Sequence, residues 1–184
     1  GAGSVGAIPN VNIVDWVLLD IRDAANAAAA TAATSVAKIP AFILNNGNIV
    51  ALDGTSSPQV TNAIVNNLFV VIYSRNHEAI MNANLIPYST GLYTYDYTTG
   101  AAQVIGGTAG HKELSSGKWG MRSGDGNGDG SVTTFDKTNV WGLPTQLGKT
   151  GYLPSDFSFD RQTNNKDKND KWKPNLGTVS QVPN

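Results

Sequence analysis

The chain has 184 residues, 40% hydrophobic and 15% charged, and a formal net charge of -1; this supports one good core, or a core with a small stapled module. So balanced a charge gives no footprint for nucleic acid or an anionic membrane as partner, and no apolar run reaches the roughly 20 residues that span a bilayer. With no Cys, disulfides, thiol catalysis and Cys-ligated metal centres are excluded.

Nothing in the sequence resembles a signal peptide, and without an initiating Met the expectation is of a processed protein or an excised fragment, with any export signal outside it. Abundant Asn, Thr, Ser and Gly, with turn pairs such as Asn46-Gly47, point to extracellular β-structure.

Positions 1–10 read as a linker or loose lead-in. Over 11–22 the pattern alternates: Val11, Ile13, Val17, Leu19 and Ile21 fall on one side, interrupted by Asp15, and Trp16 and Leu18 on the other. That predicts a long strand covered in part on both faces. Eight of the ten residues at 24–33 are Ala, which favours helix by propensity. The run has neither an apolar stripe beyond Ala nor a cap, so a loop between strands is the reading here.

Strands are expected at 36–44 and 49–52 around the turn Asn45-Asn46-Gly47-Asn48, and at 68–73. Alternation over 92–97 puts Tyr93, Tyr95 and Tyr97 on one face and Leu92, Thr94 and Asp96 on the other, and Thr99-Gly100 turns the chain into a further strand at 101–105. Short strands with turn-rich links predict a mainly β fold, an antiparallel β-sandwich over 11–122, followed by a small helical module over 123–184.

That module carries an acidic twelve-residue loop twice, at 125–136 and 156–167, an offset of 31 residues that also matches Trp141 with Trp172. In the first loop Asp125, Asn127, Asp129, Ser131, Thr133 and Asp136 fill positions 1, 3, 5, 7, 9 and 12, and Gly130 stands at the sharp turn. Oxygen donors in that spacing describe a calcium loop. The bland alternative is an Asp/Asn/Gly turn without an ion. In the second loop Asp156, Ser158, Asp160, Gln162, Asn164 and Asp167 take the same positions, but Arg161 replaces the glycine, so weaker binding is expected. Two Ca2+ ions are the expected cofactors. Asp at position 12, rather than the longer Glu, suits a fixed staple better than a sensor.

The N-x-D-G core with a terminal Asp, used twice, resembles the type I dockerin module of extracellular bacterial proteins. The resemblance covers about 125–175 and implies a helix after each loop, a module folded by two calcium ions, and paired helices that bind a cohesin or a neighbouring domain. Departures are Arg161, the spacing of 31, and Pro144 and Pro174, which shorten the helices. A second resemblance covers more of the chain. The V-D-W-V strand at 14–17, the hairpin at 44–52, S-R-N-H at 74–77, N-N-K-D-K-N-D at 164–170 and the closing P-N-L-G-T-V-S-Q-V-P-N are similar to the C-terminal region of large secreted, hemagglutinin-like surface proteins of Bacteroidota. It implies a location outside the cell or on its surface.

His77 and His111 are the only histidines, and no metal-spaced pair, nucleophile elbow or phosphate loop occurs. Arg75 and His77 are read as a polar corner, 106–110 as a flexible loop, and Asp20, Asp23 and Asp53 as solvated. No nucleophile and base can be named, so no enzyme is expected. The expected role is a calcium-stapled module serving adhesion, anchoring or assembly, whose partner is another protein module or a cell-surface component. Open alternatives are a carbohydrate-binding module using Tyr93, Tyr95 and Tyr97, a secretion or sorting domain, and self-assembly by addition of the lead-in segment to a neighbour's sheet edge.

Overall fold

A computed structural model describes residues 6–143 and 148–184. The first part of the lead-in and Pro144 lie outside the described residues. The chain is mainly β, and its sheets are antiparallel.

The organising strand is β1, Ile13–Ala24. It pairs on one side with β2, Ser35–Leu44, and on the other with β4, Asn67–Ser74. Short strands extend the sheet at each edge: β3, Ile49–Val50, and β5, Ile80–Met81, complete the order β3-β2-β1-β4-β5. The Asn-Gly turn acts as expected, with Gly47 at φ +87° and its N–H donated to the Leu44 carbonyl. The alanine run is a connection, built from turns of 3-10 helix at Ala27–Ala29 and Ala32–Thr34.

Alternation along β1 sorts its side chains between two clusters. Val17, Leu19 and Ile21 pack with Ala41, Leu68, Ile72, Ile80 and Val104 on one face. Ala24 joins Ala30, Phe69, Val71, Ala79 and Met81 on the other. Each fully buried Val, Leu or Ile contributes about 1.5–3 kcal/mol of burial.

No second sheet of comparable size faces this one among the described residues. The remaining strands form two ribbons, β6 (Tyr88–Ser89) with β7 (Leu92–Tyr93) and β8 (Lys112–Ser115) with β9 (Lys118–Gly120). Loops cover the first face, with Val60, Ile64, Ile86, Tyr93 and Tyr97 packed against it. Two expected strands are corrected. Residues 94–97 keep their side-chain alternation but leave the ladder after Tyr93, because the Tyr95 and Tyr97 hydroxyls donate to the Gln103 and Val70 carbonyls and draw the segment across the sheet. Ala101–Gln103 is a 3-10 turn, whose following Val104 makes a single bridge with Asn82.

Asp20 is not solvated: it is buried, and its carboxylate accepts from Arg22 Nε at 3.0 Å. Arg22 is itself buried and also donates to the Ala30 and Pro183 carbonyls, each at 2.7 Å. Asp15, which breaks the apolar pattern, is buried under Arg75 Nη2 at 2.6 Å.

The chain after Ser123 is stitched to the sheet. Glu78 N–H donates to the Arg122 carbonyl and Gly124 N–H to the Asn76 carbonyl. The C-terminal tail returns along the same region, where Thr178 donates to Glu78 and Ser180 Oγ to the Ala79 carbonyl, and Val182 packs on the second cluster.

Candidate cation-binding loops

The repeat at 31 residues is structural as well as sequential. In the first loop Asp125 accepts Asp129 N–H at 3.1 Å and Gly130 N–H at 2.9 Å, while Asp136 accepts Gly126 N–H at 2.9 Å and Thr133 N–H at 2.7 Å. The second loop repeats the pattern. Asp156 accepts from Asp160 at 3.2 Å and Arg161 at 2.9 Å, and Asp167 from Ser158 at 2.9 Å and Asn164 at 2.8 Å. Position 1 thus holds the turn at positions 5 and 6, and position 12 folds back over the loop entrance.

The backbone repeats too. Gly128 and Gly130 are left-handed at φ +71° and +86°, and their counterparts Phe159 and Arg161 take φ +59° and +67°. A side chain there costs roughly 1–2 kcal/mol per residue. The strain at Arg161 follows from the loop pattern; that at Phe159 was missed, although the offset of 31 sets Phe159 opposite Gly128. Its ring stacks on His77 with centroids 4.5 Å apart.

After each loop comes a single short helical segment of π type, Asp136–Trp141 and Asp167–Trp172, the second continuing as a 3-10 turn over Lys173–Asn175. Long paired helices of dockerin type are not among the described elements. Pro174 sits within that last turn, and the chain is no longer helical at Leu176. A compact cluster joins the loops and their helical segments: Val132, Phe157 and Trp172 are buried together with Trp141 beside them. Phe157 fills the space that Gly126 leaves, for a Cβ at Gly126 would stand 3.1 Å from its ring and 2.8 Å from Val140.

Each loop pairs with its own extended segment. Ser131 bridges Val179, and Gly130 accepts the Ser180 N–H at 2.7 Å. Gln162 bridges Thr150, and Arg161 accepts the Gly151 N–H at 2.9 Å.

Asp125, Asp136, Asp156 and Asp167 are buried, and among the described residues none of them has an ion-pair partner. Burial, reinforced by the charges of Asp136 and Asp129 against the opposing Gly130 hydrogen bond, pushes the Asp125 carboxyl up to about 6. Asp156 is raised for the same reasons, burial first and then Asp167 and Asp160. Within each loop the two buried carboxylates are near enough for the charge of one to act on the other, and backbone N–H groups take the place of water around them.

Of the other predicted donors, Asn127, Asp129, Asp160 and Gln162 are exposed, and Ser131, Thr133, Ser158 and Asn164 are half-buried. Asn127 donates to Asp129 Oδ2 at 2.8 Å, Asp129 Oδ1 accepts Ser131 N–H, and Thr133 Oγ1 donates to Asp136. Among the described residues no three His, Cys, Asp or Glu side chains gather in a metal-holding arrangement. Each loop therefore offers two deep carboxylates with Asn, Ser, Thr or carbonyl oxygens around them, a donor set that is all oxygen and of the kind hard cations take.

No family model, curated protein or solved structure matches this chain.

The remaining sequence candidates resolve as structure. His77 Nδ1 lies 2.8 Å from Asn76 Oδ1, and Asn76 donates to the Asp156 carbonyl, so the S-R-N-H segment is a corner that clasps the second loop. His111 is buried near Trp119, with ring centroids 5.8 Å apart. Tyr95 and Tyr97 form an edge-on pair at 4.8 Å with both hydroxyls turned to backbone carbonyls. At the sheet edge, β2 pairs with β3 at Phe42 and Ile43, and the rest of it carries exposed Lys38 and half-buried Pro40, residues that resist strand addition.

Proposed function

We propose that the acidic loop at 125–136 forms a structural calcium staple, and that the chain is a non-enzymatic module working outside the cell in adhesion, anchoring or assembly. The observation that carries the cation reading is the burial of the Asp125 and Asp136 carboxylates in one loop with no ion-pair partner among the described residues. Asp125, Asn127, Asp129, Ser131, Thr133 and Asp136 would hold the ion, which would supply the missing positive charge. The extracellular setting and the adhesive role rest on composition and on the family resemblances of the sequence.

The staple would fasten the tail as well as the loop. Val132 N–H donates to the Thr178 carbonyl and Gly177 N–H to the Val132 carbonyl, so ordering the first loop also orders the strand that returns to the sheet. Extracellular sites of this type bind at roughly 10⁻⁴ to 10⁻³ M. At 10 mM calcium this corresponds to about 1.4–2.7 kcal/mol of added stability.

Thermal unfolding of the full chain in EDTA and in 10 mM calcium tests the proposal. The expected result is a higher melting temperature in calcium and slower proteolysis within 125–175. Identical melting in both buffers would remove the staple.

A further inference from the structure

The two loops share one backbone but differ in charge. The first holds Asp125, Asp129 and Asp136 and no basic residue, whereas the second holds Asp156, Asp160 and Asp167 together with Arg161 and Lys166. At the repeat offset these two cations stand where the first loop has Gly130 and Phe135.

Both basic side chains are placed. Lys166 Nζ lies 3.2 Å from Asp160 Oδ2, at the carboxylate that would be the position-5 ligand. Arg161 donates to Tyr152 Oη at 3.3 Å, and its guanidinium carbon lies 5.4 Å from the ring centroid. Asp129, which matches Asp160 in the first loop, accepts from Asn127 and Ser131 N–H groups and has no ion-pair partner among the described residues.

We infer that the second loop carries its own cations in place of an ion: Lys166 occupies the outer ligand Asp160, and Arg161 adds positive charge at the turn. The chain then takes one calcium, in the first loop, and the second loop folds without metal. Calcium affinity in such loops follows the number of ligand charges, and a fixed ammonium at a ligand opposes a dication directly. This inference rests on the proposed function for the first loop only.

Calcium titration calorimetry on the EDTA-treated full chain reads the stoichiometry, and the substitutions involved are at exposed positions. The expected result is one ion per chain, lost in Asp129→Asn and kept in Asp160→Asn, and two ions in R161G/K166Q. Two ions in the unaltered chain overturn the inference, as does one ion that leaves with D160N rather than D129N, or a count that stays at one in R161G/K166Q. If the unaltered chain takes no calcium, the first-loop reading fails by itself. The inference then holds only if R161G/K166Q gains an ion that adding D160N removes, and is overturned if no ion is gained.

Discussion

Trp141 and Trp172 exchange hydrogen bonds across the repeat: Trp141 Nε1 donates to the Asn164 carbonyl of the second loop and Trp172 Nε1 to the Thr133 carbonyl of the first, each at 2.8 Å. The exchange extends to their faces, with Lys137 Nζ 5.7 Å from the Trp172 ring centroid and Lys168 Nζ 4.9 Å from that of Trp141. Lys137 and Lys168 are again 31 residues apart. Each loop is thus completed by the helical segment of the other, which explains why the unit is duplicated: one copy alone would leave a position-9 carbonyl and an indole without partners.

Replacing Trp172 by Phe keeps much of the ring but strands the Thr133 carbonyl. The expected cost is about 1–3 kcal/mol in urea unfolding. Trp141→Phe should cost less, because Trp141 is only partly buried while Trp172 is 7% exposed. Equal, negligible effects of both substitutions would show that the exchange contributes nothing to stability.

Arg22 offers a sharper test of the sheet. Its guanidinium is buried against Asp20 and caps the carbonyls of Ala30 and Pro183. Arg22→Met removes one partner of a buried ion pair, for which about 3–5 kcal/mol of destabilisation is expected. Adding Asp20→Asn should recover part of that loss, since the orphaned charge goes with it. Calorimetric melting of the single and double variants checks both statements, and a double variant less stable than R22M contradicts the argument.

How much of this was legible in the sequence depends on the range of the interaction. The alternation of β1, the Asn-Gly hairpin and the twin loops are encoded by neighbours a few residues apart, and all three appear in the structure. The covering of the sheet was not legible. Tyr95 and Tyr97 alternate as a strand would, yet long-range bonds to Gln103 and Val70 decide where they go. Asp20 reads as solvated because nothing local reveals that its partner Arg22 is buried beneath a tail that returns some 160 residues later. In the loops the repeated hydrogen-bond pattern follows the spacing of the acidic residues, whereas the exchange of tryptophans needed the second copy's position in space.

Acid should weaken the corner that clasps the second loop. Burial, with the positive charges of Lys171 and Arg75, holds the His77 imidazole down to about 3, against an ordinary 6.5. The folded chain therefore favours neutral His77, and the unfolded chain binds a proton first as pH falls. Stability from this group is complete above about pH 6.5 and declines as pH falls toward 3. His77→Gln cannot take up that proton, so its melting temperature should fall less between pH 7 and pH 4 than that of the unaltered chain. Parallel pH profiles for the two proteins would contradict the assignment.

Removing the last six residues, 179–184, tests whether the tail belongs to the fold. The deletion loses the Ser180 Oγ bond to the Ala79 carbonyl at 2.8 Å and the Ser180 N–H bond to the Gly130 carbonyl at 2.7 Å. It also loses the Pro183 carbonyl that accepts from Arg22, and Val182 from the second cluster. At about 0.5–1.5 kcal/mol per hydrogen bond the expected loss is about 2–4 kcal/mol, or roughly 4–16 °C in melting temperature for a chain of this size. Because the same tail pairs with the first loop, amide exchange should quicken both at Gly130 to Val132 and along β1 near Arg22. Faster exchange at the loop alone would mean that the tail does not link the loop to the sheet.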